Sequence, residues 1–472
     1  MAEYSLQSDA LLSMIRNGQS MTRGQKVSLA VRLSIPAIIA QLSAIIMQYI
    51  DASMVGSLGA EGSAAVGLVS TTTWLFTGTC SAVAAGFTVQ VAHKIGSNDW
   101  YGARNVLRQG ISSTLIFSII LASIGVLISS RLPIWLGGDE SIRSDASAYF
   151  MIFASFMPAM QLNYLAGGML RCSGNMRIPS LVGVLMCVLD VLFNFFLIFP
   201  TRLYTFAGIS MTIPGAGMGV KGAALGTAAA AGSAAAILLI YLWRHSGDLR
   251  PGIEKASFIP NRSVLRKALK ISIPMALEHI VICGAQIMTT VIVAPLGVFA
   301  LAANSLAVTA ESLCYMPGYG IADAATTLVG QSVGARQREL ARSFGRITLL
   351  IGMSVMGVAG VLMFLFAPQI IGIMTPVSEV RELGVMALRI EAFAEPMFAA
   401  SIVAYGVFVG AADTIIPCTM NFLSIWAVRL TLAALLAPSL GLKGVWIAMC
   451  IELCFRGIIF LIRFKREKWL KI

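Results

Sequence analysis

The sequence predicts an all-α integral membrane protein in which twelve transmembrane helices form two six-helix lobes related by an internal repeat. Three observations support this prediction. The 472-residue chain is 57% hydrophobic and only 12% charged, with a mean hydropathy of +0.82. Its apolar runs reach the roughly 20 residues that a helix needs to cross a bilayer. Its first half also returns in its second half at an offset of 238 residues.

The apolar runs predict helices rather than strands. In lipid the backbone must satisfy its own hydrogen bonds, which leaves helices or closed barrels. These runs are continuous, whereas barrel strands alternate with a period of two. We expect spans at residues 30–56, 62–93, 106–130, 146–170, 179–200, 218–243, 269–295, 300–329, 347–369, 383–410, 417–438 and 444–462.

The repeat holds without a gap from Ser34 to Pro179, so that Ser34-Ile35-Pro36 returns as Ser272-Ile273-Pro274 and Gly96 returns as Gly334. The register changes at an insertion, residues 200–217, that the second half lacks. Because each half has an even number of spans, both halves should present the same face to the same compartment. We therefore expect a symmetry axis along the membrane normal.

The Lys and Arg residues of the loops predict the orientation, because they concentrate on the cytoplasmic side. With the N-terminus in the cytoplasm, the opposite side holds only Arg131, Arg143, Arg202, Arg381 and Lys443. We expect a multi-pass protein of the cell (inner) membrane, in contact with membrane lipids and with both termini cytoplasmic. The same asymmetry accounts for the net charge of +12, so we expect no nucleic-acid partner.

The predicted organisation has five parts. They are a cytoplasmic N-terminal segment (1–28), the N-lobe (29–243), a cytoplasmic linker (244–268), the C-lobe (269–462) and a cytoplasmic tail (463–472). The first 28 residues lack the layout of a cleavable signal, so the first span should direct its own insertion. The eight cysteines show neither metal-site nor disulfide spacing, and we interpret them as small apolar residues.

Ionisable residues within the spans are functional candidates, because in lipid they are costly and face a cavity or a partner. Most of them are acidic, which suits a cavity for cations. We expect Arg429 to pair with Glu452 or Glu391. The full set is Asp51, Asp190, Glu278, His279, Glu311, Asp323, Glu391, Glu395, Arg429, Glu452 and Arg456.

Asp51, Asp190 and Asn194 are the candidates for ion coupling. Asp51 lies 15 residues after Pro36, and a proline bends or weakens a helix, so protonation of Asp51 could be coupled to helix shape. Asp190 and Asn194 share a helix face and could take a proton or ligate Na⁺ through oxygens. The alternatives are a hydrated interfacial aspartate for Asp51 and an interhelical hydrogen bond for the pair.

A second set of residues is predicted to bind substrate or to assist coupling. It comprises Gln48, Glu278, Gln286, Glu311, Asp323 and Glu395, with Pro36 and Pro274 as helix hinges. His279 fits a satisfied polar residue better than a ligand.

Several motifs resemble the multidrug and toxic compound extrusion (MATE) family. The segment from Ile35-Pro36 through Gln48 and Asp51 to Leu58-Gly59 is similar to the family's first helix. Three further segments are similar too, and the likeness covers residues 25–465. These segments are Ala294-Pro295-Leu296-Gly297, Gly330 to Ala335 followed by Ala341-Arg342, and Gly410 to Thr414 before Pro417.

The resemblance implies two six-helix bundles arranged as a V around a central cavity. It implies that Asp51 corresponds to the family's first-helix acid, Pro36 to the proline at which that helix bends, and Asp190 and Asn194 to its fifth-helix pair, in an order reversed from several relatives. The acids of a C-lobe sodium site found in some relatives would fall on Ile282 and Phe398. A sodium site there is therefore not supported position for position.

We accordingly expect a monomeric antiporter, not an enzyme, that needs no cofactor beyond H⁺ or Na⁺ and exports amphipathic cations by alternating access. A lipid-linked oligosaccharide flippase of the same superfamily is the alternative, although a cavity for a polyanionic lipid should carry several intramembrane Arg or Lys residues. An intramembrane enzyme would need a nucleophile and base or metal ligands, and the sequence shows no such arrangement.

Overall fold

The computed structural model describes residues 2–206, 209–253 and 257–470, and it is almost entirely helical. In the N-terminal half the helices are α1 (Ala2–Arg16), α2 (Arg23–Gly56), α3 (Ala60–Gly96), α4 (Trp100–Ile128), α5 (Leu132–Trp135), α6 (Glu140–Ser155), α7 (Met157–Cys172), α8 (Arg177–Ile198) and α9 (Val220–Arg244). Strands β1 (Pro200–Phe206) and β2 (Ile209–Ala216) lie between α8 and α9.

The C-terminal half contains the helices α10 (Arg262–Val293), α11 (Val298–Gly334), α12 (Arg338–Met374), α13 (Ser378–Glu391), α14 (Glu395–Gly410), α15 (Ile415–Leu423), α16 (Leu430–Leu440) and α17 (Leu442–Lys465). A π-helical turn, Ser424–Arg429, joins α15 to α16. Short 3₁₀ turns lie at Gly247–Leu249, Pro251–Ile253 and Ala294–Leu296.

The helix boundaries repeat with the offset found in the sequence. Helix α3 (60–96) corresponds to α11 (298–334), and α7 (157–172) corresponds to α14 (395–410). Among the described residues, ten helices are long and apolar enough to cross a membrane, and the pair α13–α14, bent by 60°, supplies an eleventh span. The pair α6–α7 occupies the equivalent position in the first half. It supplies the twelfth span and so completes two lobes of six spans each.

Two elements were not predicted from the sequence. The N-terminal segment forms α1, whose Leu12 and Ile15 are fully buried against the bundle. The insertion after α8 forms the antiparallel hairpin β1–β2, so the all-α prediction needs this one correction. The first span also begins earlier than predicted, at Arg23, because Thr22 and Gln25 form a capping box at its N-terminus.

The two lobes meet along two symmetry-related helix pairs, α2 with α11 and α3 with α10. Small residues allow close approach, as is usual between membrane helices. A Cβ atom added to Gly320 of α11 would lie 2.6 Å from the Ile38 backbone nitrogen of α2, and one on Gly86 of α3 would lie 2.6 Å from the Ala268 carbonyl oxygen of α10. The first helix of each lobe is thus held against the second helix of the other.

Candidate functional site

Asp51, Asp190 and Asn194 come together inside the N-lobe. The Asn194 Nδ2 amide donates to Asp51 Oδ1 at 2.9 Å and to Asp190 Oδ2 at 3.2 Å. The two carboxyl groups also lie within hydrogen-bonding reach of each other. Asp190 is fully buried and Asn194 is 1% exposed. We call these three residues the N-lobe triad.

Helices α2, α8 and α9 position the triad. Asp190 and Asn194 are one turn apart on α8, while Asp51 reaches them from α2. Helix α9 can approach closely because Gly226 has no side chain. A Cβ atom at this position would lie only 2.0 Å from Asn194 Oδ1. Thr227 of α9 lies within hydrogen-bonding reach of Asp190, and the sequence contains no pattern that would have identified it. Gly226 thus leaves the space that the Asn194 amide occupies.

The triad is suited to holding one positive charge. Two neighbouring carboxylates away from bulk water repel each other, so the pair is stabilised by a shared proton or a bound cation. Asp190 Oδ1 and Asn194 Oδ1 are buried and have no hydrogen-bond partner within the described part of the chain. The repeat equivalents are Thr289, Val428 and Leu432, so the second half has no counterpart of the triad.

A cavity of about 370 Å³ lies between the lobes. The N-lobe contributes α2, α3 and α7, and the C-lobe contributes α10, α11, α14, α15 and α17. We call it the inter-lobe cavity. Its polar and aromatic lining residues include Gln41, Tyr164, Arg171, Glu278, His279, Tyr319, Asp323, Phe398, Tyr405, Asn421 and Arg456.

The charges of the inter-lobe cavity are mixed. Glu278 Oε1 accepts a hydrogen bond of 2.5 Å from Asn421 Nδ2, and Asp323 lies within reach of the Gln41 side chain. Arg171 and Arg456 also line the cavity. The predicted span 146–170 ended just before Arg171, which the sequence therefore placed in a loop, whereas the structure places it at the end of α7 and on the cavity wall. The expectation of a mainly acidic cavity was therefore incomplete.

The remaining acids lie deeper in the C-lobe. Arg429 Nη2 contacts Glu452 Oε2 at 2.6 Å, Arg456 Nε contacts Glu452 Oε1 at 3.0 Å, and Ser424 donates to Glu452 at 2.6 Å. The predicted pairing of Arg429 with Glu452 is confirmed. The other three acids, Glu311, Glu391 and Glu395, are buried in the same lobe. None of them lines the inter-lobe cavity.

Several predicted residues lie apart from both sites. Gln48 and Gln286 are exposed on α2 and α10 and line neither the triad nor the cavity. Pro36 and Pro274 lie inside α2 and α10, and both helices continue through them. His279 lies at the cavity wall and packs against Gly78 of α3, where an added Cβ would meet its ring at 2.5 Å.

The lobes are joined at one end of the bundle, where α2 and α10 begin and α17 ends. We call this the terminus end. His93 Nε2 donates to the Gly410 carbonyl at 2.7 Å, and Gln331 Nε2 donates to the Cys172 carbonyl at 2.7 Å. Each bond crosses from one lobe to the other, and the repeat relates His93 to Gln331 and Cys172 to Gly410. We call these four residues the inter-lobe latch.

Two glycines allow the helices of the latch to touch. A Cβ atom on Gly96 would lie 2.0 Å from the Gln331 carbonyl oxygen, and one on Gly334 would lie 2.0 Å from the His93 carbonyl oxygen. These glycines are also repeat equivalents. The latch was not predicted from the sequence, although Gly96 and Gly334 are among the residues that revealed the repeat.

Comparison with known proteins supports the same architecture. The profile of the MatE family matches residues 36–196 and 274–435, which stand at the offset of the internal repeat. A probable multidrug resistance protein NorM from Thermotoga maritima is 26% identical over 443 residues, covering 93% of this chain and 92% of that protein.

Solved structures show the same fold. A MATE transporter in its straight conformation is 22% identical, with a TM-score of 0.86 and 98% of each chain covered. A MOP superfamily transporter from Pyrococcus furiosus, whose binding pocket has a reverse polarity that suggests a different function, is 20% identical, with a TM-score of 0.87 and 98% of each chain covered. Because the family profile matches more than half of the residues, this chain belongs to the MATE family of multidrug efflux transporters.

Proposed function

We propose that the protein exports amphipathic organic compounds in exchange for inward protons, and that the N-lobe triad is the proton-binding site. The contact of Asp51 with the buried Asp190 and Asn194 is the observation that supports this proposal most directly. Each chain contains both lobes, the triad and the cavity, so we propose that the monomer is the functional unit.

The arrangement of the triad favours H⁺ over Na⁺. Na⁺ requires oxygen ligands, as hard cations do, whereas Asn194 presents its amide nitrogen to both carboxylates. A proton shared by Asp51 and Asp190 leaves one negative charge, which the amide can stabilise by its two hydrogen bonds. Na⁺ would require the amide to turn its Oδ1 atom away from Gly226 and toward the ion.

Helix α2 connects the triad to the interface between the lobes. It carries Asp51. Two residues earlier on the same helix, Tyr49 donates a 2.5 Å hydrogen bond to the Thr309 carbonyl of α11. A change in the charge of Asp51 therefore acts on a helix that is packed against the opposite lobe. Each inward proton supplies about 2.3 kcal/mol per 100 mV, plus about 1.4 kcal/mol for a tenfold gradient.

We propose that the terminus end faces the cytoplasm. The basic segments cluster there, in keeping with the retention of positive charge in cytoplasmic loops. The opposite end holds only a few basic residues, such as Arg131 and Arg381. In this orientation the inter-lobe latch closes the cytoplasmic side, and alternating access requires it to open.

The test is dye transport in proteoliposomes under a pH gradient or a Na⁺ gradient, imposed separately. Asp51→Asn should abolish proton-driven transport, because it removes one of the two carboxyl groups. Asp145→Asn makes the same change on α6 at a residue outside the triad and should leave transport intact. Transport that follows only the Na⁺ gradient, or that survives Asp51→Asn, would contradict the proposed proton site.

A second candidate is the flipping of lipid-linked oligosaccharides, because Arg171 and Arg456 line the cavity. Arg456 is already paired with Glu452, and two acids share the same walls, so efflux is favoured. Flipping of a lipid-linked substrate in proteoliposomes, without movement of any dye, would reverse this choice.

A further inference from the structure

We propose that the inter-lobe cavity selects amphipathic zwitterions, compounds that carry a carboxylate as well as a cationic group, over compounds that carry only a positive charge. The inference rests on the proposed export function and assigns its substrate class. Its basis is the placement of one available positive and one available negative side chain on walls that belong to different lobes.

Arg171 supplies the positive side chain. It lies in the last turn of α7 and lines the cavity, yet none of the ion pairs in the described part of the chain includes it. Asp323 is near enough for its charge to be felt, but it forms no ion pair with Arg171 in the described part of the chain, and its side chain lies within reach of Gln41. A guanidinium is always charged and is costly without a partner within a membrane. Arg171 is therefore suited to bind a substrate carboxylate.

Arg456 does not compete for this role. Its guanidinium pairs with the fully buried Glu452 at 3.0 Å, and Glu452 also holds Arg429. Arg456 is thus held by an ion pair inside the C-lobe, where the Glu452 carboxylate is shared by two guanidinium groups. Of the two arginines that line the cavity, only Arg171 has no ion-pair partner among the described residues.

Glu278 supplies the negative side chain. It is 8% exposed, and its Oε1 accepts a hydrogen bond from Asn421. Its Oε2 has no hydrogen-bond partner within the described part of the chain, and the Tyr405 side chain lies nearby. The Oδ1 atom of Asn421 is likewise buried and unbonded. These two oxygens provide acceptors for a substrate amine or another N–H donor. A purely cationic ligand would engage them and leave Arg171 unmatched.

The size and the walls of the cavity suit a drug-sized zwitterion. Its volume of about 370 Å³ lies within the range of small-molecule sites. Met275, Phe398 and Ile402 also line the cavity and supply apolar and aromatic surface. Because Arg171 belongs to the N-lobe and Glu278 to the C-lobe, a zwitterion bound by both would bridge the two lobes that must move apart and together during transport.

The test uses rhodamine 110 and rhodamine 123, which share a cationic ring system and differ in that the second is the methyl ester of the first. Binding of each dye to the purified protein is measured by fluorescence anisotropy, and transport is measured separately in proteoliposomes. The wild-type protein should bind the acid more tightly than the ester. Arg171→Gln should weaken binding of the acid by about tenfold, the effect of one charge-assisted pair, and change binding of the ester by less than twofold.

Three further variants separate recognition from folding. Arg171→Lys retains the charge and should restore most of the preference for the acid, while Glu278→Gln should weaken both dyes. Arg131→Gln, on the exposed loop at the opposite end, should affect neither.

Two outcomes would count against the inference, and a third would count against the export function alone. Tighter binding of the ester by the wild-type protein would overturn it, and so would an equal loss of both dyes in Arg171→Gln. If the acid binds as expected but neither dye is transported under any gradient, the proposed export function fails while the assignment of the ligand class stands.

Discussion

The inter-lobe latch allows the balance between transport states to be shifted by a single methyl group. Gly334→Ala would place a Cβ atom 2.0 Å from the His93 carbonyl oxygen, where real contacts are at least 3.0 Å. The obstacle is backbone, so a rotamer change cannot relieve it, and the two lobes must separate at the terminus end by about 1 Å. The substitution is otherwise mild, because Gly334 lies at the end of a helix that alanine can extend.

A separation of this size would disrupt both bonds of the latch. The His93–Gly410 and Gln331–Cys172 hydrogen bonds are each 2.7 Å long, and a typical hydrogen bond contributes about 1 kcal/mol. Their joint loss would destabilise the closed terminus end by about 2 kcal/mol, or roughly a thirtyfold shift in population toward the open state. Gly96→Ala should have the same effect, since it opposes Gln331 in the symmetry-related position.

Cys172 provides the readout, so no cysteine has to be introduced by mutation. It is 4% exposed and lines the inter-lobe cavity next to the latch. A membrane-impermeant maleimide applied from the terminus end should alkylate Cys172 at least tenfold faster in Gly334→Ala than in the wild type, as measured by mass spectrometry of its peptide. Gly232→Ala is the control, because a Cβ atom there meets nothing within 4 Å.

An unchanged rate of Cys172 alkylation in both glycine variants, with the proteins folded, would refute the reasoning. It would mean that the contact relaxes locally and that the latch does not set the position of the lobes. A change in only one variant would show that the two halves of the latch act independently.

Three further perturbations test other parts of the structure. Gly226→Ala would place a Cβ atom 2.0 Å from Asn194 Oδ1 and should reduce proton-driven transport about tenfold without loss of fold; full activity would show that the amide position is unimportant. Glu452→Gln should lower the stability measured by thermal unfolding by about 3–5 kcal/mol, because buried guanidinium charges lose their partner; a smaller loss would mean that water reaches them. The Lys94 ammonium donates a hydrogen bond that lowers the pKa of Asp99, so the stabilisation from this carboxylate is present at neutral pH and lost as the pH falls through that pKa. Asp99→Ala, which also removes the cap on α4, should cost about 1 kcal/mol at pH 7 and less in acid, whereas a cost that is independent of pH would exclude the charge as its source.

The membrane spans were predictable because apolar length is a property of local sequence, and the repeat fixed their correspondence between the halves. Helix ends were less predictable. Helix α2 extends back to Arg23 because a capping box, not hydrophobicity, determines where it begins. Helix α1 escaped prediction since its segment is polar overall, and its burial depends on a few side chains such as Leu12 and Ile15.

The candidate sites were predictable only in part. The spacing of Asp190 and Asn194 placed them on one face, but their contact with Asp51 depends on how α2 packs against α8. The list of intramembrane acids did not show that they divide among the triad, the cavity and the interior of the C-lobe. Arg171 was misjudged because the last turn of a helix has the same appearance in sequence whether it faces a loop or a cavity. Such assignments require tertiary contacts, which the order of residues does not contain.

The duplicated chain keeps symmetry where the lobes touch and abandons it at the proposed proton site. His93 and Gln331 differ chemically, yet both donate one 2.7 Å hydrogen bond across the same end of the bundle, as the proposed alternating access would require of two lobes that close against each other. The interiors have no such requirement. Asp51 is replaced by Thr289 in the second half, while Glu452 and its arginines are confined to the C-lobe. Binding of a proton at the proposed site would therefore change the charge of the N-lobe alone. A charge change in one lobe that acts on a symmetric contact between both lobes would favour one direction of movement.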